Sequence, residues 1–324
     1  MMNENSLPRS GGYQHPRCYA RGDANCSTKI SKEHFISKTL LERIHRDNTA
    51  KIAGLAWQAP ETFQRVPIKG LASKILCERH NSALSGLDAA FGAFTQAIRD
   101  FDRAKTKERT KEKFSGNDIE RWTLKCLIGL TASGNLKSGL KPECVDLLFK
   151  RRTWPEGWGL YFANVGSTPI YHTDSFAMET LIGPDRKIVL AAKFHIQGLP
   201  FILVLGTPGD AKSFGIRHPC EIVLRSAIGE RRLRLSWEDG QPGDSVQLTR
   251  AGEVTTAIRR VGRNGREKAS LSSDGSCGLR REERDKFVRQ PLIGRRALFG
   301  GKCARSHRAK VEPAFVGFLD DVGE

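Results

Sequence analysis

Four soft or borderline metal ligands stand in the first quarter of this 324-residue chain: Cys18, Cys26, Cys77 and His80. Cys77-Glu78-Arg79-His80 sets two of them at the reach of a knuckle turn leading into a helix. Cys18 and Cys26, with seven residues between them, can form the opposing loop. Such a set closes four-coordinate around one structural Zn²⁺. Gly22 is expected to supply the tight bend of that loop.

Interleaved with these ligands are a carboxylate, an imidazole and an amide: Glu33, His34 and Asn81. An imidazole held near its neutral form can take a proton from water at neutral pH. Oxygens from Glu33 and Asn81 suit a hard divalent ion, Mg²⁺ or Mn²⁺. Such an ion would polarise a phosphoryl oxygen and stabilise a leaving alkoxide. Asp88 falls on roughly the same helical face as Asn81 and is a further candidate ligand. Its alternative role is a carboxylate answering the dipole of a helix N-terminus. His45 reads as a surface residue. Cys126, Cys144, Cys220, Cys277 and Cys303 lack partner spacing and read as core or incidental thiols.

The elements that must position these residues are partly legible. A strand is expected around Thr28 to Ser31, placing His34 at a strand end, and a helix over Lys38 to Ile44 on the pattern Leu40, Leu41, Ile44. The stretch from Arg46 to Gln64 reads as an extended loop. A second helix is expected from near Asn81 through Leu84, Leu87, Phe91 and Phe94. The charge run from Arg103 to Lys113 shows no apolar periodicity and reads as a solvated linker or helix extension. Asn117-Asp118 signals a helix carrying Trp122, Leu124 and Leu127 and stopping near Gly134. Beyond Pro155 the period shifts towards strands: 160–163, 176–182, 188–196 and 201–205, with Gln197-Gly198-Leu199-Pro200 as a hairpin turn. Trp57, Trp122, Trp154 and Trp158 read as core anchors.

The division expected from this pattern is a flexible N-terminus (1–17), a ligand-bearing unit (18–96), an α+β accessory domain (97–240) and a basic tail (241–324). The tail carries Arg259-Arg260, Arg280-Arg281 and Arg295-Arg296, and reads either as a nucleic-acid-binding arm or as a disordered extension. The chain holds 53 Lys and Arg against 36 Asp and Glu, a formal net charge of +17. That balance points to a polyanionic partner, since clustered cations gain free energy by releasing counterions from nucleic acid. No apolar run approaches the ~20 residues of a membrane span. The N-terminal residues lack a signal pattern, and the eight cysteines are too dilute for a disulfide scaffold, so a cytoplasmic protein is expected.

The arrangement Cys18…Cys26…Glu33-His34…Cys77-x-x-His80-Asn81 resembles the HNH endonucleases, the zinc-bound subgroup of the ββα-metal (treble-clef) nucleases. The resemblance covers roughly residues 13 to 95. It implies an α+β fold with an N-terminal treble-clef unit and hydrolysis of phosphodiester bonds, most naturally in double-stranded DNA. His34 then matches the general base, Glu33 and Asn81 the ligands of a catalytic Mg²⁺ or similar ion, and Cys18, Cys26, Cys77 and His80 the structural zinc. The insertion between His34 and Cys77 is longer than in the minimal motif, and a final helix histidine found in some members is missing. The alternatives are a non-catalytic, zinc-stabilised nucleic-acid-binding protein and a zinc-stapled module for protein partners.

Overall fold

The computed structural model describes residues 11–45, 47–59, 62–103, 108–163, 176–183, 187–206, 214–226, 229–238, 240, 244–249 and 316–318. The described chain is a mixed α+β protein with several sheets and four α-helices.

The chain opens with a loop that holds Cys18 and Cys26 and contains a 3-10 turn, Arg21–Asp23. Its bend is made at Ala24, in the left-handed region (φ 50°), rather than at Gly22. Strand β1 (Ile30–His34) follows, then α1 (Lys38–Ile44), whose Leu40, Leu41 and Ile44 are buried as the spacing predicts. The expected loop from Arg46 to Gln64 instead contains β2 (Thr49–Ala53) and leads into β3 (Gln64–Pro67), its antiparallel partner. The alternation that places Ala50 and Ile52 inside is the two-residue period of a strand.

Strand β4 (Ala72–Cys77) returns antiparallel to β1, with Ile30 opposite Cys77 and His34 opposite Ala72. The register slips once, between Ser31 and Glu33. The next residue starts α2 (Glu78–Arg103), longer at both ends than the sequence pattern indicates and running across the boundary expected at 96/97. Its Leu84, Leu87, Phe91, Phe94, Ile98 and Phe101 form the buried stripe of a helix with one face on the core.

Part of the charge run read as a linker is strand β5 (Glu108–Ser115). Arg109, Lys111 and Lys113 are exposed while Thr110, Glu112 and Phe114 are partly covered. The strand period is present, but written in charged and polar residues, so hydrophobicity alone misses it. Ser115 then caps α3 (Gly116–Ala132), accepting a hydrogen bond from the Asp118 amide at 3.1 Å. Trp122 stacks on Phe91 across the α2–α3 packing, with ring centroids 3.3 Å apart.

A short α4 (Glu143–Leu148) precedes β6 (Gly159–Ala163), β7 (Phe176–Ile182), β8 (Val189–Ile196) and β9 (Leu199–Val204). The β8–β9 turn uses only Gln197 and Gly198, at φ 49° and 81°, so Leu199 and Pro200 already belong to the strand. Two positive φ values are what a two-residue hairpin of this hand requires. Next come β10 (Gly215–Arg217), β11 (Glu221–Ser226), β12 (Gly229–Ser236), β13 (Ser245–Thr249) and β14 (Val316–Phe318).

Apart from the β1–β4 ribbon, the strands form an eight-stranded sheet, β10-β6-β9-β8-β7-β14-β2-β3, and a four-stranded sheet, β13-β11-β12-β5. Strands β13 and β14 come from the segment read as a tail, which is therefore not wholly without structure; its paired arginines, Cys277 and Cys303 lie outside the described residues. One continuous apolar core runs from Cys18 to Leu248 and includes Trp122 and Trp158. Trp57, expected inside, is 55% exposed and donates its indole N–H to Asn135, while His45, expected at the surface, is buried. Among the described residues no helix is long and apolar enough to cross a membrane.

Candidate metal centre

The loop, the end of β4 and the first turn of α2 converge on one point. Cys18, Cys26, Cys77 and His80 are all buried there, and their ligand atoms lie within 4.8 Å of one another. His80 Nδ1 is 3.1 Å from Cys77 Sγ, 3.4 Å from Cys18 Sγ and 3.7 Å from Cys26 Sγ. Zinc bonds of about 2.3 Å to sulfur and 2.0 Å to nitrogen at a tetrahedral angle set ligands roughly 3.5 to 3.8 Å apart. The group thus suits a metal ion such as zinc in spacing, ligand type and seclusion from water. Backbone hydrogen bonds fix the loop against the ribbon: the Tyr19 amide donates to Ile75 O, and the Glu78 amide to Lys29 O, both at 3.0 Å.

The outer contacts of the cluster are equally ordered. With Nδ1 turned to the sulfurs, His80 Nε2 donates to Asp23 Oδ2 at 3.1 Å. Asp23 is held in turn by Arg151, whose Nε donates to Asp146 at 2.9 Å. A carboxylate on the far nitrogen fixes the ring and raises its basicity towards an ion. Phe149 packs edge-on against the same ring, 5.3 Å between centroids, and closes the site with apolar surface.

The thiols are electrostatically unequal. Burial pushes Cys77 up, but hydrogen bonds from the His80 backbone and from Ser27 prevail and bring it down to about 6. Burial pushes Cys18 up to about 12, aided by repulsion from Cys77 and Cys26. Three thiolates side by side need a cation among them, so metal uptake here releases protons.

The second expected set stands on β1 and the first turn of α2 and is bonded differently from expectation. Glu33 is buried, and its Oε1 is 2.6 Å from Lys125 Nζ. The same ammonium is 2.7 Å from Asp88 Oδ2, while Asp88 Oδ1 accepts the Trp122 indole N–H at 3.2 Å. Asp88 stands three turns into α2, beyond reach of its dipole, so its role is this ion pair. Burial raises the Glu33 carboxyl above its usual range, with Lys125 opposing. Burial works against the Lys125 ammonium, yet Glu33 and Asp88 more than offset it and hold the lysine above its usual range.

His34 ends β1. Burial, and then Lys38, lowers its imidazole below the usual range against a hydrogen bond to the Ile68 backbone, and Nε2 is buried without a hydrogen-bond partner. Asn81 is partly exposed on the first turn of α2, directly after His80. As the side chains stand, the set does not fit an open divalent-ion site, because the Lys125 ammonium already pairs with both Glu33 and Asp88. Lys29, Lys32, Lys38 and Arg79 are exposed, and Lys38 pairs with Glu42 at 3.3 Å.

The residues that sequence reasoning missed are Asp23, Arg151 and Lys125, while Trp122, read as a core anchor, is in the core and also donates to Asp88. Two left a signal: Asp23 is a carboxylate between Cys18 and Cys26, two of the four candidate ligands, and Lys125 interrupts the apolar stretch between Leu124 and Cys126. Comparison with protein-family models, curated proteins and solved structures found no match for the chain.

Proposed function

We propose that the chain is a zinc-stapled phosphodiester hydrolase of the HNH type, acting on nucleic acid and on DNA in preference to RNA. The observation that supports it best is the order of elements around the metal cluster. A ligand-bearing loop, β1 with Glu33-His34, β4 ending in Cys77 and α2 with His80-Asn81 in its first turn come in the order of a treble-clef ββα unit, with α1, β2 and β3 inserted between β1 and β4. The cluster would hold the ribbon and helix together, and His34 would work from the ribbon. A burial-lowered imidazole is neutral at pH 7, and its Nε2, which has no hydrogen-bond partner, would accept the proton of an attacking water once substrate opens a path to it.

The divalent ion that the HNH resemblance implies would draw on Glu33 and Asn81, and it reaches Glu33 only by displacing Lys125. That ion pair favours a second reading, a zinc-stabilised nucleic-acid-binding protein without cleavage. The test is cleavage of supercoiled plasmid in Mg²⁺ or Mn²⁺ by wild type and His34→Ala, with zinc measured in both. The hydrolase reading expects nicking by wild type, loss of nicking in the variant and unchanged zinc. Nicking retained by His34→Ala overturns the assigned base. Salt-sensitive binding with no cleavage in either ion selects the second reading.

A further inference from the structure

The outer face of the four-stranded sheet carries six cations around Glu221, Glu230 and a buried Val223, and two like-charged pairs stand side by side on it. Strands β5 and β12 run parallel with Lys111 beside Arg232 and Lys113 beside Arg234; Arg109 lies beside Glu230, and Glu230 beside Arg225. Laterally paired residues share a face, so Arg109, Lys111, Lys113, Arg225, Arg232 and Arg234 form one surface. The opposite face, with Ile222, Leu224, Leu233, Leu235, Val246 and Leu248, is buried in the core.

Glu221 and Glu230 order this surface without cancelling it. Glu230 accepts from Arg225 Nε at 2.9 Å and from Arg232 Nε at 2.7 Å, and Glu221 from Arg232 Nη1 at 3.0 Å and Arg234 Nε at 3.2 Å. A guanidinium carries five N–H donors, so each keeps donors for another acceptor. Arg109, Lys111 and Lys113 are exposed and have no ion-pair partner among the described residues. Lysines on an edge strand are a common guard against strand addition. That accounts for β5 but not for arginines facing them from β12, an inner strand. Like charges directly opposite destabilise a sheet, a cost that a bound polyanion relieves.

We infer that this face is a docking surface for the phosphate backbone of duplex DNA. The described part of the face carries no aromatic side chain, whereas sequence-tolerant binding of single strands relies on aromatic stacking. Cations alone contact phosphates and set position rather than sequence. The inference rests on the nucleic-acid reading above and adds where the duplex lies.

The test is fluorescence anisotropy of a labelled 25-base-pair duplex with the full chain across a salt series. Arg109→Ala/Lys111→Ala/Lys113→Ala is compared with wild type and with a control of equal charge loss on other elements, Lys69→Ala/Lys137→Ala/Arg152→Ala. The surface predicts at least about tenfold weaker binding by the β5 variant, and a salt slope shallower by about 2 to 3, since each lost phosphate contact removes about 0.9. The control is expected to change affinity less than about threefold. Arg234→Gln alone, which leaves β5 untouched, is expected to weaken binding by about threefold or more and keeps the test open if the triple variant misfolds. Equal affinities for wild type, the β5 variant and Arg234→Gln overturn the surface but leave the nucleic-acid reading standing. No binding by wild type at 50 mM salt overturns both. Tighter binding of a single strand, weakened by the same substitutions, overturns the choice of duplex.

Discussion

Lys125 Nζ lies 2.6 Å from Glu33 Oε1, with both side chains more than nine-tenths buried. A residue of α3 thereby locks that helix to β1, the first strand of the β1–β4 ribbon. Truncating one partner leaves an uncompensated buried charge, which typically costs 3 to 5 kcal/mol. Lys125→Met is therefore expected to lower unfolding free energy by about 3 kcal/mol or more, measured by urea titration. Adding Glu33→Gln removes the more deeply buried of the two orphaned charges, so the double variant is expected to be more stable than the sum of the single losses by at least about 1 kcal/mol. Additive losses would show that the two side chains do not act as a pair.

Asp23 does not touch the proposed ion, yet its carboxylate holds the far nitrogen of His80. Loss of such an outer contact commonly lowers metal affinity by about 10 to 100-fold. Asp23→Asn keeps the shape and removes the charge. We expect it to bind one zinc per chain with affinity reduced about tenfold or more, read by competition with a chromophoric chelator. Cys77→Ser, which removes a ligand, is expected to lose stoichiometric zinc altogether. Wild-type affinity in Asp23→Asn would reduce the carboxylate to a packing role.

The candidate metal group was legible because its residue types carry the chemistry themselves: Cys18, Cys26, Cys77 and His80 are ligands by type, and the structure brings them together. Helices α1, α2 and α3 were legible because their apolar residues recur at helical spacing, β7 and β8 because theirs largely alternate, and β6 and β9 because each is a short apolar run bounded by glycine. Strand β5 was not, since its alternation is written in Lys, Arg, Thr and Glu, and its pairing with β12 spans more than a hundred residues. Lys125 was legible only as a lysine interrupting an apolar stretch. No local pattern says that a lysine inside an apolar stripe will meet Glu33 and Asp88 from two other elements. The candidate catalytic residues were thus named from sequence, but their electrostatic state was not.

His195 gives the sheet a dependence on pH. It sits on β8 opposite Ala177 and Pro200, and burial, with Lys193 adding to it, brings it from 6.5 down to about 4. A histidine depressed in the folded state binds its proton more readily when unfolded. Its contribution is present above about pH 6.5 and is lost as pH falls towards 4. The upper bound of the loss is roughly 3 kcal/mol, at 1.36 kcal/mol per pKa unit. Urea midpoints at pH 7 and pH 4.5 should therefore differ less in His195→Gln than in wild type, with zinc loss at low pH common to both. Identical differences would place the acid sensitivity elsewhere.

Gly159 tests the packing between α3 and β6. Its φ of +121° is strained for any L side chain, and an added Cβ would lie 2.6 Å from Glu120 Oε1 and 3.0 Å from His218 Nε2. That oxygen already accepts from the Leu160 amide at 2.7 Å and faces His218 Nε2 at 2.9 Å, and Trp237 stacks on the imidazole. Gly157, two residues earlier, also has a positive φ (+75°) but meets nothing within 4 Å. Gly157→Ala should therefore cost about 1 kcal/mol from backbone strain alone. Gly159→Ala adds overpacking and displaces Glu120, so a loss of about 3 kcal/mol or more is expected in the same urea assay. Equal losses would mean that backbone conformation, and not the Glu120–His218 contact, is what requires glycine at the start of β6.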